Sequence, residues 1–383
     1  MIARILRFAG SLKLTVVCLV LAAVLVFLGT IAQVHEGLYG AQARYFRSIF
    51  VYWSPPGADW RIPVFPGGYL IGAVMLINLV TSFADRLRVV RGRVGLLLTH
   101  LGLILLVLGQ FATDLLSVES HMRLTEGEGR NYSESSSETE LAIIETTRAD
   151  VDTVHVIPEK HLAKQQEIPI EGLPFRVRVN RYYRNSALAD RRGAMTNEPA
   201  AATQGFGPSV VIKPAPPVVK MDQRNLPAAV IELLTSKGSL GTWIVALVID
   251  QPQQVALEGR TFTLQLRPTR YYKAHTITLL KFTHEKYPGT EIPKNFSSRV
   301  RVQNPEKGEE REVLIYMNNP LRYGGETYYQ SGYDERDPRV SILQVVRNPS
   351  WLTPYFSCLL VGVGLSLQFL SHLVEFVRKR RPA

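Results

Sequence analysis

The run Val94–Phe111, VGLLLTHLGLILLVLGQF, constrains this chain more than any other stretch. Apart from Thr99, His100 and the closing Gln110 it is apolar throughout. A helix of that length covers ~27 Å at 1.5 Å per residue, close to the hydrocarbon thickness of a bilayer. The run therefore predicts a membrane-spanning helix with one histidine inside it. An ionisable side chain in hydrocarbon is costly and marks a pathway, a relay or a ligand. The plain alternative is a packing histidine with its hydrogen bonds satisfied.

Three further blocks, Leu14–Ile31, Phe65–Phe83 and Pro354–Leu373, have similar length and composition. The first follows Arg4, Arg7 and Lys13 and ends near a small-residue stretch, as a secretory signal does. Its apolar core is longer than a signal's and three spans follow, so it is expected to be retained. The net charge of +11 would suit nucleic acid if it were spread over a surface, but it is not. Eleven basic residues against two acidic ones lie at the ends of the apolar blocks: Arg4, Arg7 and Lys13, then Arg86, Arg88, Arg91 and Arg93, then Arg378–Arg381. That placement excludes a nucleic-acid partner and predicts four spans with both termini and the 85–93 loop in the cytoplasm. The organisation expected is three spans within 1–116 (14–31, 65–83 and 94–111), an extracytoplasmic domain over 117–350, and a fourth span with a basic tail over 351–383. Basic ends also attract anionic lipid.

Both cysteines, Cys18 and Cys358, fall within spans. With no C-x-x-C the chain is no thiol–disulfide carrier, and with no C-x-x-C-H it is not itself a c-type cytochrome. Gly95, Gly102 and Gly109 recur every seven residues and, with Thr99, predict a stripe for close helix packing. His100 points ~140° away from it, between Leu96, Leu97, Leu103 and Ile104. Such a face suits a flat hydrophobic cofactor or a partner protein. A second histidine, His372, stands in the fourth span with Gln368 one turn before it. Counted from the basic flanks the two histidines are expected at equal depth, so His372 is a secondary candidate ligand; hydrogen bonding to Gln368 is the simpler reading. Asn78, in the second span, is expected to bond a neighbouring helix. Gln33–Pro63 is expected to form an outer loop whose aromatics anchor at the interface, with His35 at its start.

The 117–350 segment opens with a Ser/Glu-rich stretch over Glu126–Glu140 and then reads as strands. Leu173–Tyr183 alternates with period two; Ala228–Leu234, Trp243–Ile249, Thr261–Leu266, Thr276–Phe282, Val300–Val302, Glu312–Tyr316 and Val340–Val346 are β-rich runs between turn residues. An all-β sandwich or open barrel is expected, with Ala189–Pro217 as a long loop. His155, His161, His275 and His284 lack the spacing of a metal cluster, and His121 alone follows a span closely. Tyr323, Tyr328, Tyr329 and Tyr333 read as strand-packing aromatics.

Two stretches of this domain carry a family resemblance. YMNNPLRYGGETYYQSGYD (Tyr316–Asp334) resembles the late signature of the ResB family, one of the two membrane proteins of system II cytochrome c maturation. PGTEIPKNFSSRVRV (Pro288–Val302) is similar to that family's preceding strand–loop–strand, and Ser11–Thr30 to its first span. The resemblance implies a subunit of the cytoplasmic (inner) membrane, its large domain on the periplasmic side, that carries haem b across with a ResC-type partner for attachment to apocytochrome c. It implies that His100 matches the family's axial haem-iron ligand, the second ligand lying on the partner. It also implies a non-autonomous part of a haem-attaching synthase, reliant on free thiols such as a thioredoxin-like reductant maintains. His372 has no counterpart to carry over. The alternatives are a membrane-anchored β-domain scaffold that never binds haem, and a transporter subunit, which would need more polar groups in its spans than are present.

Overall fold

The computed structural model describes residues 2–55, 60–87, 94–148, 150–191, 200–218, 224–290 and 293–380. The flank residues Arg88, Arg91, Arg93 and Arg381, and parts of the 189–217 and 288–302 stretches, lie outside these. The chain forms two compact units, one made of the part up to Val118 and the part from Arg347 on, the other of Glu119–Val218 and Asp222–Val346.

The first unit begins with α1 (Ile2–Ala9) and α2 (Leu12–Ala41), followed by a π-helical turn at Gln42–Phe46. A hairpin of β1 (Phe50–Trp53) and β2 (Ile62–Pro66) leads into α3 (Gly68–Leu87) and α4 (Val94–Leu116). The second unit then runs β3 (Val118–Thr125), β4 (Gly129–Glu145), β5 (Thr153–Pro158), the short α5 (Glu159–Leu162), β6 (Glu167–Ile168), β7 (Arg176–Tyr183), β8 (Ser186–Asp190) and β9 (Val210–Pro214). It continues through β10 (Ala228–Thr235), β11 (Gly238–Ala246), β12 (Gln253–Leu257), β13 (Arg260–Lys286), β14 (Pro293–Asn304), β15 (Glu309–Tyr316), β16 (Leu321–Tyr323), β17 (Glu326–Tyr333) and β18 (Val340–Arg347). The last helix, α6 (Thr353–Arg380), belongs to the first unit.

Among the described residues three helices are long and apolar enough to cross a membrane: α2 with its π-helical turn, α4 and α6. The apolar part of α3, Gly68–Ala84, falls just short of that length. The expected outer loop is only partly a loop. With no proline between Ile31 and Ala41 the helix runs on past the apolar block, breaking at Gly37, whose φ of 71° suits glycine alone. His35 is accordingly an exposed residue of α2, not of a loop. Asn78 does bond its neighbours. Its Nδ2 donates to the carbonyls of Ala9 (2.7 Å) and Ser11 (3.1 Å), and its Oδ1 accepts from the Thr15 hydroxyl (2.7 Å). A single side chain of α3 thus satisfies the Ala9 carbonyl, which the end of α1 leaves without a helical partner, and adds a bond to the Ser11 carbonyl, which also accepts from the Thr15 N–H.

The second unit is all-β, as expected. A ten-stranded antiparallel sheet is ordered β15-β14-β13-β4-β3-β18-β17-β16, with β12 added on β13 and β5 on β4. A four-stranded sheet, β11-β10-β7-β6, packs on the part of it formed by β4, β5, β12 and the start of β13. Phe262, Leu264 and Leu266 of β13 meet Ile231, Leu233, Trp243 and Val245 there, as in a sandwich. The rest of the large sheet curls around its own core, with Met122, Ile277, Val300, Ile315, Tyr328 and Leu343 inside, and is nearly closed. Sandwich and open barrel thus share two strands, β4 and β13. The runs expected at 261–266 and 276–282 are a single 27-residue strand, whose register shifts beside Pro268 and after Tyr272.

Two expectations change. The 189–217 stretch contributes β8 and β9, a hairpin with Leu188 opposite Ile212. The Ser/Glu-rich stretch is largely strand β4 because β13 supplies its counter-charges. Glu134, Glu140 and Glu145 are met by Arg270 (2.9 Å), Arg267 (3.0 Å) and Arg260 (2.6 Å). Cross-strand pairs of opposite charge support a strand that its own composition disfavours. The Arg260 guanidinium holds the Glu145 carboxyl down at about 2.

Candidate functional site

The glycine stripe of α4 packs against α6. Cβ atoms built on Gly95 would meet Gly364 and Gln368, on Gly102 Ser357 and Val361, and on Gly109 Thr353. Rising numbers on α4 meet falling numbers on α6, so the two helices are antiparallel. Only glycine permits the approach, since a Cβ on Gly102 would lie 2.7 Å from Val361 Cγ2.

His100 is partly buried on the face ~140° from that contact. Its Nδ1 lies 2.8 Å from the Leu96 carbonyl oxygen. A carbonyl only accepts, so Nδ1 carries a proton, and in the neutral ring Nε2 is then the nitrogen with the lone pair. This is the arrangement of a ligating histidine, one ring nitrogen oriented by a backbone carbonyl and the other left for a metal.

His372 is placed differently. It is exposed, and its Nε2 accepts from the Gln368 amide at 2.7 Å. By the antiparallel register the level of His100 on α6 is near Val361, and His372 lies about eleven residues, or ~16 Å, further along. The two histidines therefore do not stand at one depth, and they cannot serve one iron from opposite sides. Counting from the basic flanks misled because α6 stays helical to Arg380.

At the other end of the helical unit a cavity of about 990 Å3 opens between the end of α2, the π-helical turn, α3 and α4. Its apolar wall includes Phe46, Leu76, Leu106, Val107 and Phe111. Its polar rim is tied together: Arg47 donates to Asp114 Oδ1 from Nε (2.8 Å), and Tyr69 donates to Oδ2 (2.8 Å). Val107, Phe111 and Asp114 lie within about 40° of the helical direction of His100, so one face of α4 carries both the histidine and the cavity wall.

In the β unit the histidines are dispersed. His155 lies on β5 and His161 on α5, while His121 on β3 bonds the Ser136 hydroxyl at 2.7 Å and is held below the usual histidine range by burial. His284 lies against Tyr333 (centroids 4.2 Å apart, rings tilted by 41°) beside Phe282 and Phe296, at a hollow of about 300 Å3.

His275 is buried and opens a polar chain that the sequence reading did not find. Its Nε2 lies 2.8 Å from the Tyr328 hydroxyl, which lies 2.7 Å from Glu326 Oε2; Lys273 Nζ reaches Oε1 at 2.7 Å. The carboxylate only accepts, so Tyr328 donates to Glu326 and His275 donates to Tyr328. Burial pushes the Tyr328 hydroxyl up and the His275 imidazole down. The tyrosines thus do more than pack. Tyr328 links the chain, and Tyr323 donates to Glu309 (2.8 Å) while meeting His275 edge-on. One signal was present in the sequence. Period two puts Glu326, Tyr328 and Gln330 on one face of β17, and two polar groups on the face of a core tyrosine predict a buried network.

The two signature stretches meet at that strand. Ser298 of β14, fully buried, donates to Gln330 Oε1 at 2.6 Å, and Gln330 Nε2 donates to the Ser341 hydroxyl at 3.0 Å. Pro288–Val302 and Tyr316–Asp334 are therefore one structural element, cross-linked in its interior.

Comparison with known proteins agrees with this element. Residues 241–348, from β11 to β18, match the model of the ResB-like family. A stretch of 288 residues is 24% identical to protein NrfI of Wolinella succinogenes, covering 73% of this chain and 28% of that protein. The chain spans little more than a quarter of that relative's length. The two signature stretches, joined at Ser298 and Gln330, both lie within residues 241–348, so the part of the chain that resembles the ResB-like family is the part they cross-link.

Proposed function

We propose that this chain is the ResB-type subunit of a system II cytochrome c synthase in the cytoplasmic membrane, with its β unit on the outer side, acting with a ResC-type partner. The family match and the NrfI relative support a role in cytochrome c biogenesis. The observation that carries the haem assignment is the His100 tautomer. A histidine on an apolar face of α4, with Nδ1–H on the Leu96 carbonyl and Nε2 as the remaining ring nitrogen, offers one axial ligand to haem iron. No second histidine of the described residues stands at that level of α6, so the partner supplies the other ligand. Haem here is cargo: the chain binds and orients it, and the partner and the apocytochrome complete the attachment. His372, bonded to Gln368, is outside this site.

The test is the visible spectrum of the detergent-purified protein co-expressed with its ResC-type partner. The native pair is expected to show a Soret band. In His100→Ala it is lost or shifted and returns with added imidazole, and in His372→Ala it is unchanged. An unaltered spectrum in His100→Ala would leave an anchored β scaffold as the better reading.

A further inference from the structure

The cavity at the far end of the helical unit has a charge pattern that the haem site does not use. It lies at the end opposite the basic N-terminal and C-terminal flanks, lined by the last turns of α2 and α4 and the first turns of α3. The hairpin β1–β2 at the same end carries exposed Tyr52 and Trp53, with Trp60 edge-on to Trp53. Such aromatics lie at the head-group level of a bilayer. Arg47 and Asp114 therefore stand at that level, with the apolar wall of the cavity running inward from them.

We propose that the cavity binds a phospholipid with a phosphoethanolamine head group. The rim carries one cation and one anion side by side: Arg47 Nη2 is 2.7 Å from Asp114 Oδ1, the Arg47 side chain is 51% exposed and that of Asp114 is 22% exposed. Both charges can engage a ligand, the guanidinium a phosphate and the carboxylate an ammonium. A zwitterionic head whose ammonium donates hydrogen bonds meets both requirements. A purely anionic head would oppose Asp114, and a trimethylated ammonium has no N–H to give. The carboxamides of Gln33, Gln42 and Gln110 also line the cavity, where a lipid's ester groups would lie. Below them a Cβ on Gly72 would meet nothing within 4 Å, so the helix surface there is open to an acyl chain. The volume of about 990 Å3 is at the upper end of small-molecule sites.

The experiment is native mass spectrometry of the full chain, purified in detergent and offered phosphatidylethanolamine, phosphatidylcholine and phosphatidylglycerol of identical acyl composition. The native protein is expected to retain one phosphatidylethanolamine about tenfold more tightly than either competitor. Asp114→Asn abolishes that preference, and Gly72→Leu fills the cavity and lowers retention of all three. If Gly72→Leu elutes aggregated, Asp114→Asn decides alone. An unchanged preference in that variant overturns the proposal, as does equal retention of the three lipids by the native protein, which means annular lipid only. Cavity-dependent retention of haem or of a quinone in place of lipid overturns it too.

Discussion

His275 Nε2 and the Tyr328 hydroxyl lie 2.8 Å apart inside the β unit, and the pair ends on a carboxylate, Glu326, that Lys273 neutralises. The side chain of Lys273 is 3% exposed, so its charge depends on Glu326 for compensation. Removing one partner of such a pair leaves a buried charge. Glu326→Gln is expected to destabilise the protein by ~3–5 kcal/mol. Tyr328→Phe, which orphans a donor and an acceptor but creates little cavity, is expected to cost ~1–3 kcal/mol. Thermal unfolding followed by tryptophan fluorescence orders the two. A Tyr328→Phe protein as stable as the native one would remove the chain's structural importance.

The same chain makes stability depend on pH. His275 is held below its ordinary value by burial, so the unfolded chain binds its proton more readily than the folded one. The contribution is complete above the unfolded value of about 6.5 and is lost as pH falls from there towards the folded value. Melting temperature should decline on acidification through this range, and His275→Gln should flatten that part of the profile. A native profile with no slope below neutrality would contradict the burial argument.

Helix packing in the first unit offers a contrast between two glycines. A Cβ on Gly102 of α4 runs into α6, whereas on Gly362 of α6 it meets nothing within 4 Å. Gly102→Leu should separate the helices and Gly362→Leu should not. Thermal unfolding of the two variants in detergent reads the difference, with Gly102→Leu melting well below the native protein and Gly362→Leu close to it. Equal melting of the two variants would argue against the close-packed stripe.

Asn78 is 1% exposed and makes its three hydrogen bonds to α1, to α2 and to Ser11 between them. Within a membrane such bonds are worth ~0.6–2 kcal/mol each. Asn78→Leu should lower stability by about that much or more, and Asn78→Asp, which keeps the acceptor for Thr15 but loses the donors, should not rescue it. Retention of full stability in Asn78→Leu would mean that the α1–α2 junction is capped otherwise.

What the chain's own pattern determined was composition-driven. Apolar length predicted helices at 14–31, 65–83, 94–111 and 354–373, and each block is helical over most of its length, because in hydrocarbon a backbone must satisfy its hydrogen bonds within the segment. The seven-residue spacing of Gly95, Gly102 and Gly109 predicted a packing face, and α6 occupies it. Period-two alternation found β7, and a β-rich run between turn residues found β10. What only the tertiary structure decided were relationships between distant residues. The Glu-rich β4 is a strand because β13 brings Arg260, Arg267 and Arg270 opposite it, 115 to 136 residues away in sequence. The depth of His372 relative to His100 follows from the antiparallel register of α4 and α6, which counting from the flanks misjudged. The Lys273–Glu326–Tyr328–His275 chain needs β13 and β17 in one folded sheet, since burial is what turns four ordinary polar side chains into a coupled network.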